Sequence, residues 1–220
     1  MKTAVITGTS HGLGKDIALN LLESEWKVYG LARGNSDIVH DNYQHFHVDI
    51  TDHTTVANLV SQVSQIDLLV NNAAVFEMCS FNDSQIESIN KIIDTNVKGT
   101  MYVTKICLPL MNINSKIIFI NSVAGLGELE NQSIYCASKY ALTAFAGVLG
   151  KELRSRKIKV VSIHPGGINT SLWNESNPYP VGDVENAINS KQISDLILFI
   201  LSNSNIEFKT VKLFPEVEWH

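Results

Sequence analysis

The stretch "TGTSHGLG", residues 7–14, follows the apolar run "TAVIT" at 3–7 and precedes the helical spacing of Ile17, Leu21 and Leu22. A short, β-branched, continuously apolar run is expected of a strand buried on both faces. A glycine-rich turn from such a strand into a helix has a physical purpose. Gly8 permits a sharp turn, Gly12 lets the backbone come close to a ligand, and Gly14 lets helix and strand pack together. The helix start then offers unpaired N–H groups and partial positive charge, which suit phosphate. Gly8, Ser10, His11, Gly12, Leu13 and Gly14 are therefore candidate ligand-binding residues. The spacing is GxxxGxG rather than GxGxxG, so the motif alone also fits a tight turn with no ligand.

Outward from this loop, strand and helix patterns alternate. Strands are expected at 27–32, 43–48, 66–70, 115–122 and 157–165, with a further one at 210–214. Helices are expected at 51–63, 83–112 (Pro109 near its end), 131–155 and 191–201. This order predicts βαβ units and an α/β, doubly wound, Rossmann-like parallel sheet with helices on both faces, as a single domain over 1–220. Residues 166–190, rich in Asn, Pro and Gly, form the long irregular segment, where function often resides.

Composition narrows the classes. Apolar residues at 45% and charged residues at 18% describe a packed globular chain. The net charge of −5 with scattered arginines argues against nucleic acid. Cys79, Cys107 and Cys136 form no close pair and no ligand cluster with His, so reduced thiols and no metal site are expected. A strand opening at Thr3 leaves no room for a signal peptide, and the apolar run "LILFIL" at 196–201 is too short for a membrane span. A cytoplasmic location is the expectation.

Further motifs follow the glycine loop in order: "NNAA" at 71–74, Asn96 in "DTNVKG", Ser122, Tyr135 and Lys139 in "SIYCASKY", and "HPGGINT" at 164–170. Together they make residues 3–170 resemble the short-chain dehydrogenase/reductase family. The resemblance implies an oxidoreductase that moves hydride between a nicotinamide dinucleotide and a carbonyl or alcohol. It implies Asn96, Ser122, Tyr135 and Lys139 as the catalytic set. It also implies dinucleotide contacts from Asp49 and Ile50 near the adenine, from Asn72, Ala73 and Ala74, and from Pro165, Gly166, Ile168 and Thr170. Beyond Thr170 the match fades, and a possible homodimer through the long helices rests on the family alone.

The end of the second strand bears on cofactor choice. A carboxylate there would hold a ribose diol and repel a 2′-phosphate. Ala32 has no charge, and Arg33 can make charge-assisted bonds to a phosphate. His11 offers a second donor, and Asp37 falls late for the ribose role. The expectation is NADP(H), with NAD(H) possible. Asp49 is also a candidate cap for the helical segment beginning near Thr51.

On a helix, Tyr135 and Lys139 share a face. A free phenol titrates near 10, and a neighbouring cation lowers that value. Tyr135 would donate the proton and Ser122 a hydrogen bond to the developing oxyanion, with Lys139 holding the ribose. Asn96 would hold a water linking Lys139 to solvent, or else bond its own helix. His164 reads as a packed strand-end histidine. Phe76, Met78, Leu126, Trp173 and Tyr179 are candidates for an apolar substrate wall. A dinucleotide sensor without turnover is the alternative, and Ser122, Tyr135 and Lys139 together argue against it. A methyltransferase would need an acid where Ala32 stands.

Overall fold

The computed structural model describes residues 1–170, 173 and 184–216. Seven parallel strands form one sheet in the order β3-β2-β1-β4-β5-β6-β9. They are β1 (Thr3–Thr7), β2 (Lys27–Ala32), β3 (Tyr43–His47), β4 (Ile66–Asn71), β5 (Met111–Ile120), β6 (Lys159–Pro165) and β9 (Thr210–Leu213). The helices are α1 (Gly12–Glu23), α2 (His53–Val60), α3 (Ile86–Ile93), α4 (Thr100–Cys107), α5 (Ser133–Glu152) and α6 (Ser190–Ser202). Chain direction across the sheet reverses between β1 and β4, which opens a crevice at their carboxyl ends.

Two cores cover the sheet. One face packs Val5, Leu69, Ile117 and Phe119 against Val56, Val103, Ala146 and Leu149 from α2, α4 and α5. The other packs Ile6, Val70, Ile118 and Ile163 against Ile17, Leu21, Ile193 and Ile197 from α1 and α6. Burial on both faces explains why these strands read as continuous apolar runs.

Two expectations need correction. The helix expected at 83–112 is broken. α3 runs into a π turn at Asp94–Gly99, then α4, then a 3₁₀ turn at Leu108–Leu110 containing Pro109. Helical periodicity cannot reveal a one-residue slip in winding. β5 begins at Met111 rather than 115, because residues 112–114 are exposed and a lone Ile113 between two asparagines does not make an apolar run. A short parallel pair, β7 (Ile168–Asn169) with β8 (Ile188–Asn189), went unforeseen. With the Ile188 N–H bonding the Gly167 carbonyl at 2.9 Å, it clasps the base of the irregular segment.

Candidate active site

A cleft of about 630 Å³ lies at the carboxyl ends of β1, β2 and β4. Gly8 and Gly12 take positive φ angles of 77° and 58°. A Cβ on Gly14 would sit 2.1 Å from the Gly8 carbonyl oxygen, so α1 abuts the turn as the sequence implies. His11, the N-cap of α1, makes no side-chain cap hydrogen bond, and the first turn has no acidic residue. The leading N–H groups of α1 thus face the cleft with their partial charge unanswered.

Thr7 joins the two halves of this crevice. Its hydroxyl accepts from the N–H groups of Asn72 and Ala73, both at 2.9 Å. The Asn72 amide donates to the Thr7 carbonyl at 2.9 Å and reaches the Gly8 carbonyl at 3.3 Å. Asn72, Ala73 and Ala74 line the cleft opposite Ser10, Leu13 and Gly14.

At the β2 end, Arg33 lies 3.6 Å from the Asp49 carboxylate, and both line the cleft with Ala32 and Ile50. Asp49 also accepts from the Thr51 N–H and hydroxyl at 2.9 and 2.8 Å. It makes a local turn and does not cap α2. Asp52 is the cap, accepting from the Thr55 N–H. Asp37 pairs with Lys15 at 2.8 Å and does not line the cleft. The sequence reading passed over Gly34 and Asn35, which complete this rim.

The inner end of the cleft holds Tyr135 and Lys139, both buried on α5. Lys139 Nζ lies 5.5 Å from the Tyr135 ring centroid and donates to the Ile120 carbonyl at 3.2 Å. Burial brings its ammonium down from 10.5 to about 8. Burial moves the Tyr135 phenol upward, and a hydrogen bond with Ser122 opposes it only in part. The expected depression of the phenol by Lys139 is therefore absent in the protein alone. Removal from water dominates, and the opposing effect comes from Ser122 rather than from Lys139.

Ser122 caps a 3₁₀ turn at Val123–Gly125, accepting from the Ala124 N–H at 3.1 Å. Its carbonyl oxygen lies 3.0 Å from Nδ1 of His164. A carbonyl only accepts, so Nδ1 carries the proton and Nε2 accepts from Ser162 at 2.8 Å. Burial keeps His164 neutral by lowering its pKa. His164 is a strand-end anchor for the Ser122 backbone.

Asn96, fully buried in the π turn, does not bond its own helix. Its amide donates to the Val75 carbonyl at 2.9 Å and Ser138 at 3.1 Å, and its oxygen accepts from the Val75 N–H at 2.8 Å. Ser138 donates to the Tyr135 carbonyl at 2.7 Å. Asn96 thus clamps the segment after β4 to the turn of α5 that carries Tyr135 and Lys139. Its amide lines neither cavity at this site.

Beyond Tyr135 lies a smaller cavity of about 70 Å³, which includes Ser122, Pro165, Gly166, Phe76 and Trp173. Phe76 packs edge-on to Tyr135 at 4.8 Å and to Trp173 at 5.4 Å. Ile168 and Thr170 line both cavities. Met78 and Leu126 line neither, and Tyr179 falls outside the described residues. Leu129, Gln132 and Asn121 are wall residues the sequence reading missed. Their one signal was proximity in sequence to Ser122 and Tyr135. The Asn121 Oδ1 is buried without a hydrogen bond.

Among the described residues there is no group of three or more potential metal ligands, and no helix is long and apolar enough to cross a membrane. The three cysteines are unpaired.

The short chain dehydrogenase family model matches residues 2–180. An uncharacterized oxidoreductase of Staphylococcus aureus is 31% identical over 215 residues, covering 91% of each chain. Among solved structures, a 3-ketoacyl-(acyl-carrier-protein) reductase from Brucella melitensis, complexed with NADH, superposes with a TM-score of 0.86 at 21% identity. It covers 98% of this chain and 97% of its own. A short chain dehydrogenase from Burkholderia cenocepacia, in complex with NADP, gives 0.83 at 21% identity, with coverage of 97% and 96%. The chain belongs to the short-chain dehydrogenase family, whose members are dinucleotide-dependent oxidoreductases.

Proposed function

We propose that this chain is an NADPH-preferring carbonyl reductase, with alcohol oxidation as the reverse reaction and NADH as a weaker alternative. The observation that carries the reading is the position of Tyr135. It is a shared wall of the long cleft and the aromatic cavity, with Lys139 on the first side and Ser122 on the second. One cavity suits an elongated cofactor and the other a substrate, so a proton donor stands where the two would meet.

The cleft fits a dinucleotide on its own features. The unanswered N–H groups of α1 suit a pyrophosphate, and the close-packed glycine turn leaves room for it. Asp49 and Ile50 would flank the adenine, Arg33 and His11 a 2′-phosphate, and Lys139 a ribose. Asn72, Ala73 and Ala74 would border the cofactor, with Pro165, Gly166, Ile168 and Thr170 toward its nicotinamide end. A dinucleotide bound there supplies hydride.

Tyr135 enters the reaction protonated, because burial holds its proton at neutral pH. In reduction it gives that proton to the substrate oxygen as negative charge builds there. Ser122 donates a hydrogen bond to the same oxygen, and exclusion of water strengthens it. Lys139, brought to about 8, can exchange its own proton near neutrality and so restore Tyr135. Any water held by Asn96 must use its main-chain carbonyl or the spare lone pair of Oδ1, since both amide protons are engaged.

A cytoplasmic location and a homodimer through the long helices belong to this proposal. Its test is NADPH consumption against aldehydes, diketones and cyclic ketones, with wild type and Tyr135→Phe in parallel. Turnover that is lost in the variant while NADPH still binds supports the reading. Tight NADPH binding with no turnover on any member would favour a sensor.

A further inference from the structure

In the aromatic cavity, Ser122 and Tyr135 have assigned tasks, and Phe76 and Trp173 supply apolar wall. Gln132 lines the same cavity and has no task. It is only 6% exposed. As the N-cap of α5 it makes no side-chain cap hydrogen bond, and its carboxamide has no hydrogen-bond partner among the described residues. Its main chain is held firmly. The N–H donates to the Leu129 carbonyl at 3.2 Å, and the carbonyl accepts from Cys136 at 2.7 Å. Neither amide atom is cut off from the cavity, so the carboxamide can reach a molecule bound there. Gln132 stands three residues before Tyr135 at the head of the same helix, so it approaches substrate from the side where the proton is delivered.

We propose that Gln132 is a specificity-determining residue that hydrogen-bonds a second oxygen function on the carbon next to the reacting carbonyl. The preferred substrates are then vicinal diketones and α-hydroxy ketones rather than simple ketones. A carboxamide both donates and accepts, so it serves a carbonyl oxygen or a hydroxyl equally. The edge-packed Phe76 and Trp173 keep competing water low beside it, which strengthens such a bond. The inference rests on the reductase reading and narrows its substrate.

The test compares 2,3-pentanedione with 2-pentanone, using NADPH and the full chain. Gln132→Met keeps length and removes the amide. The ratio of kcat/KM for diketone over monoketone should fall about three- to tenfold, the range of one neutral hydrogen bond. Gln132→Glu, which accepts but cannot donate, should lose the diketone more than 3-hydroxy-2-butanone. NADPH affinity and melting temperature, measured alongside, separate a folding defect from a change in selectivity. An unaltered ratio in both variants overturns the inference and leaves the reductase reading standing. Should Gln132→Met fail to fold, the Gln132→Glu comparison decides in its place. A wild type that binds NADPH and reduces none of the three compounds overturns the reductase reading and this inference with it.

Discussion

Lys139→Met should make the protein without cofactor more stable while removing its activity. Methionine follows nearly the same path through the core and needs no water. Burial lowers the Lys139 ammonium from 10.5 to about 8. Between those values the unfolded chain binds the extra proton and the folded chain does not, so stability rises with pH there. Below pH 8 the folded state carries the full penalty, roughly 3 kcal/mol at 1.36 kcal/mol per pH unit. By pH 9.5 roughly 1.4 kcal/mol of it remains. Removing the ammonium also strips the Ile120 carbonyl of its donor, which costs about 1 kcal/mol. The variant should therefore be more stable by about 2 kcal/mol at pH 7 and nearly level with wild type at pH 9.5. Cys107 and Tyr135 are both raised by burial and lose stability at higher pH, but they are present in both proteins and cancel to first order. Urea unfolding followed by circular dichroism at the two pH values measures the difference. A variant less stable than wild type by the same amount at both would refute the claim that a buried charge at Lys139 destabilises the fold.

Tyr135→Phe should lower turnover at least about a hundredfold with NADPH affinity nearly intact, and stopped-flow absorbance with a fluorescence titration checks both. Arg33→Ala should weaken NADPH by about five- to tenfold and NADH little, as judged by calorimetry. Exposure and the competing Asp49 hold the effect to that range. Ala32→Asp should shift preference toward NADH by repelling the 2′-phosphate, and 0.5 M salt should narrow the wild-type preference. Gly14→Ala puts a methyl 2.1 Å from the Gly8 oxygen and 2.5 Å from the Asn72 amide. A loss of roughly 3 kcal/mol or more, a fall in Tm near 10 °C, is expected by calorimetry.

The sheet was readable because its inner strands are buried on both faces and each glycine of the first turn has its own steric reason. The relation of Tyr135 to Lys139 was readable because helix geometry places i and i+4 together. What escaped depends on contacts distant in sequence. Asn96 was visible as a polar residue within a helix, but its attachment to Val75 and Ser138 arises only when the segment after β4 meets α5. The raised phenol escaped for a related reason. A spacing argument sees the neighbouring charge and not the water removed by Phe76 and the surrounding core. Gln132 gave no signal because its chemistry lies in having no partner.

The π turn at Asp94–Gly99 also decides how this chain can change in length. It winds one residue more than an α-helix would over the same stretch. Deleting one of its residues would restore a plain α-helix with the two ends nearly unrotated, because the turn absorbs its extra residue locally. α4 would keep the face on which Val103 and Cys107 are fully buried and Thr104 accepts from the Asn71 amide at 2.9 Å. α3 would also keep its place, and what would be lost is the local bulge that brings Asn96 to Val75 and Ser138. A single in-frame codon loss here should therefore leave the fold standing and release the clamp on the α5 turn that carries Tyr135.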